Sequence, residues 1–177
     1  MKLSIIIVNY NTSHFISQTI RSIKNSNLNI DYEIIIVDNN SNDQSIDLIK
    51  KQFTQIKLIE NPSNYGFSKA VNIGVSDAEG ELILILNPDT ILKKDTISEL
   101  YQTLLNDSNI GVVGGKILDC NGKFQLSSRR AFPSFLTSLF HVIGLSYLFP
   151  KTKLFGKYNY TYEPSNTSHP VDAVSGA

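Results

Sequence analysis

Three short runs of aliphatic residues constrain the fold of this chain more than any other feature. Ile5–Val8, Ile34–Val37 and Leu82–Leu86 are apolar without a break. A strand with one face in water alternates apolar and polar residues, whereas a continuous apolar run is typical of a strand buried on both faces. Such strands belong to parallel sheets that helices cover on both sides. The runs therefore predict the centre of a parallel sheet.

The segments between these runs have the spacing of amphipathic helices, and Ile56–Ile59 predicts one further strand. Strands that alternate with helices at roughly 25-residue intervals predict right-handed βαβ units. We therefore expect one α/β domain over residues 1–177, a three-layer sandwich around a mainly parallel sheet. The predicted helices contain Phe15–Ile23, capped by Thr12 or Ser13; Ile46–Phe53, capped by Ser41 or Asn42; Phe67–Val75; and Ile97–Leu105.

The chain changes character after Ile110. Val112–Val113 and Lys116–Leu118 predict short strands, and Asn121-Gly122 predicts a hairpin turn from which Phe124–Leu126 returns. An irregular loop is predicted over residues 151–170, and a strand begins again at Val171.

Phe135–Phe149 is rich in Leu, Phe and Ile. It predicts either a segment that lies on a membrane surface or a core helix or subunit contact. We expect His141 within it to be a packed or half-exposed side chain and not a ligand. Arg129 and Arg130 precede the segment; they contact a phosphate or an anionic acceptor, or they are solvated surface arginines.

Composition excludes several classes of protein. The formal net charge is zero, which argues against a nucleic-acid partner. Cys120 is the only cysteine and the three histidines lack ligand spacing, so a Cys/His metal site is not expected. A chain without disulfides fits a reducing compartment, and the apolar start of the chain is too short for a signal peptide. We therefore expect a cytoplasmic protein.

Polar residues follow each predicted strand, at the edge where parallel sheets bind ligands. Asp38 is suited to a nucleotide base or ribose, or to capping the next helix. Asp89 is suited to a hard divalent cation, or to a turn and cap. The loop Asn61–Phe67 enters a helix whose N–H groups can face a phosphate. The glycine motifs of dinucleotide-binding and P-loop proteins are absent, which counts against a dehydrogenase and an ATPase.

In order and spacing, these segments resemble glycosyltransferase family 2, whose members have the Rossmann-like GT-A fold. The resemblance covers roughly the first two-thirds of the chain. It is carried by Ile5–Asn11, Ile36–Ser41, Asn64–Phe67 with Asn72–Gly74, and Leu86–Thr90. Two later segments, Ser128–Pro133 and Val171–Ala177, resemble the rhamnosyltransferase-like branch.

The resemblance implies a role for each matching residue. Val8 and Tyr10 would line the base pocket, and Asp38 would hydrogen-bond a pyrimidine base. Asp89 would be the last residue of the DxD motif and would bind Mg²⁺ or Mn²⁺ across the diphosphate, with Asn87 at the motif's first position. The residues expected beside the donor are Asn64, Gly66 and Asn72.

The family's general base follows the Ser-Gly-Ala segment, so the resemblance places the base beyond Ala177. Glu163 and Asp172 do not stand in the matching motif. We therefore expect an N-terminal fragment, truncated on its acceptor side, that binds donor but is inactive alone.

The function implied is a metal-dependent inverting glycosyltransferase in cell-surface polysaccharide synthesis. Its donor would be dTDP-rhamnose or a UDP-sugar, and its acceptor a glycan or a lipid-linked molecule at the inner face of the membrane. A non-catalytic nucleotide-sugar-binding module is the alternative. A nucleotidyltransferase would need a glycine- and Lys/Arg-rich first loop, and none follows Val8.

Overall fold

The computed structural model of the chain describes residues 2–174. The Ser175-Gly176-Ala177 end of the rhamnosyltransferase-like segment lies outside the described residues. The chain forms two compact units, Met1–Asn106 and Asp107–Ala177. The prediction of one domain over residues 1–177 stays a prediction, because two compact units can belong to one domain.

The first unit alternates strands and helices, as the apolar runs predict. Its four strands are all parallel and lie in the order β3-β2-β1-β4. The elements are β1 (Leu3–Asn9), α1 (Ile16–Lys24), β2 (Tyr32–Asp38), α2 (Ser45–Gln52), β3 (Lys57–Glu60), α3 (Phe67–Ser76), β4 (Leu82–Leu86) and α4 (Thr96–Asn106). The predicted α/β fold with a mainly parallel sheet is confirmed.

Helices cover both faces of the sheet at β1 and β2, which explains their unbroken apolar runs. The predicted burial of Leu82–Leu86 on both faces is wrong, because Ile83 and Ile85 of β4 are 38% and 42% exposed. Ile5 and Ile7 pack with residues of α1, α2 and α4 on one face. Val8 and Val37 pack against α3 on the other face. The helix α3 approaches closely at Gly74, where an added Cβ atom would lie 2.6 Å from Ile6 Cγ2. The layers are therefore three helices, the sheet, and α3.

The predicted helix caps are wrong. The helices α1 and α2 begin at Ile16 and Ser45, and neither has a side-chain cap. The hydroxyl of Thr12 donates to Asn9 Oδ1, and the hydroxyl of Ser41 donates to Asp38. These side chains bind the strand ends, so each helix starts a few residues later.

The second unit has less regular structure than the sequence predicts. Its elements are β5 (Arg129–Arg130), paired antiparallel with β6 (Ala173–Val174), α5 (Phe135–Val142) and α6 (Leu145–Leu148). The predicted strands at residues 112–113 and 116–118 are wrong. The predicted hairpin turn at Asn121-Gly122 is confirmed. Leu118 forms a bridge with Phe124, and the N–H groups of Asp119 and Gln125 donate to the backbone oxygens of Lys123 (2.8 Å) and Ile117 (2.9 Å). Val112 has no strand or core to pack against and is 73% exposed.

Arg129 is not a solvated surface arginine, and its predicted contact with a phosphate or an anionic acceptor stays a prediction. Its side chain is buried, and its guanidinium donates to the backbone oxygens of Glu163 (2.8 Å) and Pro164 (3.4 Å). Burial lowers the pKa of this guanidinium below its ordinary value. Arg129 therefore holds the loop that contains Glu163 and Pro164, whereas Arg130 is exposed.

Candidate functional site

The carboxyl ends of the four parallel strands meet at one edge of the sheet. Asn9 at the end of β1 lies opposite Asp38 at the end of β2, and Asp38 lies opposite Glu60 at the end of β3. Ile7 pairs with Leu86, so the segment from Asn87 to Asp89 leaves β4 at the same edge. The prediction that Asp38 and Asp89 share one edge is confirmed.

Asp38 is completely buried and its carboxylate is held within the loop that follows β2. Its Oδ1 accepts from Asn9 Nδ2 (2.6 Å) and from the Ser41 hydroxyl (2.6 Å). Its Oδ2 accepts from the backbone N–H of Ser41 (2.8 Å). A buried carboxylate needs such donors to remain charged. Asp38 thus shapes the loop, and its direct contact with a base stays a prediction.

Asn9 is the centre of this network, although the sequence pattern placed it among the strand-end polar residues without a role of its own. The side chain is fully buried, and its Nδ2 also donates to Ser45 Oγ (2.9 Å) and Ser41 Oγ (3.1 Å). The backbone oxygen of Asn9 accepts from the N–H of Asn39 (2.8 Å). An asparagine at the end of an otherwise apolar strand is the signal that could have identified it, because a buried amide requires several partners.

Two asparagines in the left-handed conformation shape the loops after β1 and β2. Asn11 has φ 54° and Asn40 has φ 64°. Asparagine adopts this conformation more readily than most residues other than glycine. The two loops are joined, since Asn11 Oδ1 accepts from the N–H of Asn42 (2.9 Å) and the N–H of Asn11 donates to Ser41 Oγ (2.9 Å).

Tyr10 and Val8 have different environments. Tyr10 is 48% exposed at the sheet edge, so its ring is open to a planar ligand. Val8 is buried in the core beneath α3. The predicted positions of Tyr10 and Val8 in a base pocket stay predictions.

The N-terminal end of α3 is tied to the loop after β2. Asn61 Nδ2 donates to Asn39 Oδ1 (2.9 Å), and Asn39 Nδ2 donates to the backbone oxygen of Gly66 (3.3 Å). Gly66 has φ 78° and ψ 167°, a combination that is essentially restricted to glycine. The N–H of Gly66 donates to Asn64 Oδ1 (2.9 Å). Asn64 and Gly66 therefore fix the first turn of α3 at the strand ends.

Asn72 lies away from these residues. It is exposed in the second half of α3, where it lines an open cavity of about 460 Å³ together with Lys69 and Asp77. Helix rise places it about 8 Å along the axis from the first turn. Its predicted position beside the donor stays a prediction.

Asp89 is exposed, and the loop that carries it is held against α1. The Thr19 hydroxyl donates to the backbone oxygen of Pro88 (2.7 Å), and the Ser22 hydroxyl accepts from the N–H of Leu92 (3.1 Å). Asn87 is half-buried beside the strand end. The loop is thus anchored on both sides of Asp89 while the carboxylate itself projects to solvent.

Comparison with protein families gives the chain its assignment. The family described as Glycosyl transferase family 2 matches residues 4–169. This chain belongs to glycosyltransferase family 2. The resemblance to the rhamnosyltransferase-like branch stays a prediction.

Curated relatives of this family 2 chain include one uncharacterized protein and one with a named activity. An uncharacterized glycosyltransferase of Nostoc is 30% identical over 98% of the chain and 55% of its own length. The poly(ribitol-phosphate) beta-glucosyltransferase of Bacillus spizizenii is 34% identical over 70% of the chain and 20% of its own length. The family 2 chain thus spans about half or less of these two relatives.

Solved structures share the fold. Staphylococcus aureus TarS 1–349 in complex with UDP-GlcNAc has a TM-score of 0.55, with 21% identity over 69% of this chain and 42% of that chain. The mannosyltransferase PcManGT of Pyrobaculum calidifontis, in complex with GDP-Man and Mn²⁺, has a TM-score of 0.57, with 20% identity over 66% of this chain and 35% of that chain. At these identities the comparison confirms the GT-A fold.

The Asp89 carboxylate of this family 2 chain fits a divalent cation for which the protein supplies only part of the coordination shell. The described residues contain no group of three or more His, Cys, Asp or Glu side chains that could enclose a metal. Asp89 has no hydrogen bond or ion pair with any residue from 2 to 174, so its carboxylate is available as a ligand. A cation here would take one protein carboxylate and complete its shell with phosphate oxygens and water, as Mg²⁺ commonly does.

Within residues 2–174 of the family 2 chain, no helix has both the length and the apolar character needed to cross a bilayer.

Asp43 ties the loop after β2 to the loop after β1. Its carboxylate accepts from the N–H of Ser13 (2.8 Å) and from the N–H (3.0 Å) and hydroxyl of Ser45. Burial by itself would raise the pKa of Asp43. The Ser45 hydroxyl and the backbone N–H groups of Ser13 and Ser45 outweigh burial and lower the pKa from 3.8 to about 2.

This shift predicts an acid-sensitive site. A carboxyl whose pKa is lower in the folded state stabilises the fold above its unfolded pKa, and that contribution is lost as the pH falls from about 3.8 to about 2. Asp43→Asn should therefore be less stable than the wild type at neutral pH and should lose less stability over this acid range. Thermal midpoints measured across the range test this. Asp47→Asn, an exposed position in α2, is the control and should follow the wild type.

Proposed function

We propose that this chain is the nucleotide-sugar-binding part of a metal-dependent, inverting glycosyltransferase. The donor is a nucleoside-diphosphate sugar, dTDP-rhamnose or a UDP-sugar, and the acceptor is a glycan or a lipid-linked molecule. The reaction belongs to cell-surface polysaccharide synthesis at the cytoplasmic face of the membrane. Because the chain spans about half or less of the curated relatives described above, the activity, substrates and partners of the whole protein all belong to this proposal.

The observation that carries the proposal is the grouping at the carboxyl edge of the sheet. An open aromatic ring at Tyr10, the first turn of α3 at Gly66 and an unpaired carboxylate at Asp89 all follow parallel strands of one sheet. These groups suit a base, a diphosphate and a cation respectively. Ligands of open α/β sheets bind at this edge.

Each residue has a proposed task. Tyr10 stacks on the base, with Val8 packed beneath and Asp38 holding the adjoining loop. Asn64 and Gly66 aim the N–H groups of α3 at the donor, and Asn72 lies further along the same helix. Asp89, with Asn87 before it, holds Mg²⁺ or Mn²⁺ against the diphosphate. The cation, when bound, neutralises the charge that develops on the departing nucleoside diphosphate.

The solved structures support the donor class by analogy. TarS is described in complex with UDP-GlcNAc, and PcManGT in complex with GDP-Man and Mn²⁺. Both are nucleoside-diphosphate sugars, and the sheet that this chain shares with them is the one that carries Asp38 and Asp89.

A non-catalytic nucleotide-sugar-binding module is the second candidate, and one observation favours it. Among the described carboxylates that follow the strands of the first unit, Asp38 and Asp43 are engaged by hydrogen bonds and Glu60 pairs with Lys50 (2.7 Å). If Asp89 binds the cation, none of these is free to act as the general base that inverting transfer requires.

Thermal-shift measurements with a panel of nucleoside diphosphates and nucleotide sugars, with and without Mn²⁺, test the proposal. A ligand that binds only the native state raises the melting temperature by mass action. We expect the largest rise with a pyrimidine nucleoside-diphosphate sugar in the presence of Mn²⁺. If no member of the panel shifts the transition at saturating concentration, the proposal is wrong. Binding without transfer to a membrane lipid extract would favour the non-catalytic module.

A further inference from the structure

The helix α5 turns its most apolar side away from the unit to which it belongs. Phe135 is 81% exposed and Val142 is 83% exposed, and Leu136, Leu139 and Ile143 are exposed as well. These positions recur with the spacing of one helical face. A helix of a water-soluble protein normally turns that face toward the core.

The opposite side of α5 makes the internal contacts. Thr137 is buried, Phe140 packs edge-on against Phe155 with ring centroids 4.9 Å apart, and His141 stacks on Tyr158 at 4.2 Å. The packed state of His141 is as predicted. The exposure of the other side is therefore built into the helix, whose orientation these ring contacts determine.

The short helix α6 extends the exposed apolar surface. Tyr147 and Leu148 are each 71% exposed, and Phe149 is 50% exposed. We call Phe135, Leu136, Leu139, Val142, Ile143 and the segment Tyr147–Phe149 the apolar face. Contiguous exposed apolar surface of this kind marks a protein or membrane interaction site.

The segment that carries this face is positively charged, although the carboxylate of Asp172 accepts from the N–H of Phe132 (3.0 Å) shortly before α5. Residues 120–162 contain no Asp or Glu and six Lys or Arg, although the chain as a whole is neutral. Five of the six are exposed, all but Arg129. Lys151, Lys153 and Lys157 directly follow the apolar face, and the structure shows no ion pair for any of them among the described residues.

We propose that the apolar face and these three lysines bind the surface of a bilayer that contains anionic lipid. Aromatic and aliphatic side chains enter the boundary between headgroups and acyl chains, while the lysines meet the anionic headgroups. An eight-residue helix is about 12 Å long, which is too short to cross the hydrocarbon core of a bilayer. Because the exposed apolar residues run along the length of α5, the helix would lie in the plane of the interface. The inference needs no bound donor. It extends the proposed function by placing the chain where a lipid-linked acceptor is found.

A second copy of the chain is a less favourable occupant. A two-fold contact through the apolar face would bring the same acid-free segment of each copy together, and like charges would face one another. An anionic bilayer complements both the apolar and the positive parts of the surface.

Vesicle co-sedimentation of the 177-residue chain tests the proposal. The chain should bind phosphatidylcholine vesicles that contain phosphatidylglycerol, bind pure phosphatidylcholine vesicles weakly, and dissociate as salt is raised. Phe135→Ser combined with Val142→Ser should weaken binding more than tenfold, because both side chains are almost wholly exposed and their replacement removes no internal contact. Replacing Lys151, Lys153 and Lys157 by Gln should weaken binding by about 10²-fold.

Matched controls separate this surface from general stickiness. Val112→Ser removes an equally exposed apolar side chain elsewhere, and replacing Lys51, Lys93 and Lys94 by Gln removes the same charge from the first unit; both should bind vesicles as the wild type does. Nucleotide-induced thermal shifts should be unchanged in every variant, so failure of vesicle binding is distinct from failure of the proposed function.

Three results would overturn the inference. The first is no binding to anionic vesicles at low salt, and the second is equal binding by the Phe135/Val142 variant and the wild type. The third is a concentration-dependent dimer in sedimentation velocity that the Phe135/Val142 variant abolishes, without vesicle binding, which would assign the apolar face to a second copy of the chain.

Discussion

Asp89→Ala should abolish the metal-dependent part of donor binding and leave the fold intact. The Asp89 carboxylate is exposed and makes no hydrogen bond or ion pair with the described residues, so its removal costs the native state little. It is the one protein carboxylate that we assign to the cation, so its removal takes away the assigned protein ligand. Titration calorimetry with the best nucleotide of the panel, with and without Mn²⁺, measures the effect.

The comparison with metal-free buffer makes this test specific. Asp89→Ala should bind the nucleotide about as weakly with Mn²⁺ as the wild type does without it. Asp89→Asn keeps the shape and loses the charge, and it should behave in the same way. Asp95→Ala is the matched control, because Asp95 is an exposed carboxylate whose partner is Asn27. Full Mn²⁺ dependence in Asp89→Ala would remove Asp89 from the metal site.

The parallel sheet was predictable because a strand buried on both faces has an unbroken run of apolar residues. The runs at Ile5–Val8 and Ile34–Val37 coincide with the centres of β1 and β2. No polar alternation competes with this signal, and each strand is followed by a helix that can cover it. Asp38 and Asp89 could be placed at one edge for the same reason, since parallel strands end on the same side.

The helix starts were not predictable from local preference alone. Ser41 and Thr12 are good capping residues, but each instead hydrogen-bonds a strand-end side chain. Capping preference considers only the N–H groups of the next helix. It does not include a buried hydrogen-bond partner on another strand. Tertiary hydrogen bonds to the strand ends therefore prevent Ser41 and Thr12 from capping the helices.

The role of Asn9 was hidden for a related reason. Its partners Asp38, Ser41 and Ser45 lie 29 to 36 residues further along the chain. They become neighbours only once β1 and β2 are paired. Sequence analysis read Asp38 as a ligand-binding residue because a carboxylate at a strand end suits a nucleotide, and the structure adds a buried network that occupies both of its oxygens.

Sequence patterns did not predict the structure of the segment after Ile110 or the burial of Arg129. Short strands need a partner to be recognised, and Val112–Val113 has none among the described residues. Arg129 is buried because the backbone oxygens of Glu163 and Pro164 accept from its two terminal nitrogens, contacts across 34 and 35 residues that no local pattern encodes.

Asp38→Ala should lower both stability and donor affinity, with or without metal. The substitution removes the acceptor of three hydrogen bonds, from Asn9 Nδ2, the Ser41 hydroxyl and the Ser41 N–H. Hydrogen bonds to charged groups contribute about 1.5–3 kcal/mol each, and buried donors left without acceptors add to the cost. Some donors will find water or each other, so we expect the free energy of unfolding to fall by about 3 kcal/mol.

Donor affinity should fall because the loops after β1 and β2 are joined through Ser41, which Asp38 holds. Releasing that loop disturbs Tyr10 and the attachment of Asn39 to Gly66, both of which lie on the proposed donor site. The loss should be the same in buffers with and without Mn²⁺, unlike the loss in Asp89→Ala. Equal losses for the two variants in metal-free buffer would contradict this division of roles.

A double-mutant cycle with Asn9→Ala determines whether Asp38 acts through this network. Each single substitution leaves the remaining residue of the Asn9–Asp38 pair without its hydrogen-bond partner. The loss of unfolding free energy in the double variant should therefore be smaller than the sum of the two single losses, by about 0.5–3 kcal/mol. Urea denaturation monitored by circular dichroism measures the four free energies of unfolding, those of the wild type, the two single variants and the double variant. Asp89→Ala, at the same sheet edge but outside the network, should combine additively with Asn9→Ala. Additive effects of Asn9→Ala and Asp38→Ala, together with unchanged stability in Asp38→Ala, would mean that the carboxylate is free for a ligand, and the direct hydrogen bond to a base would then be the better account of Asp38.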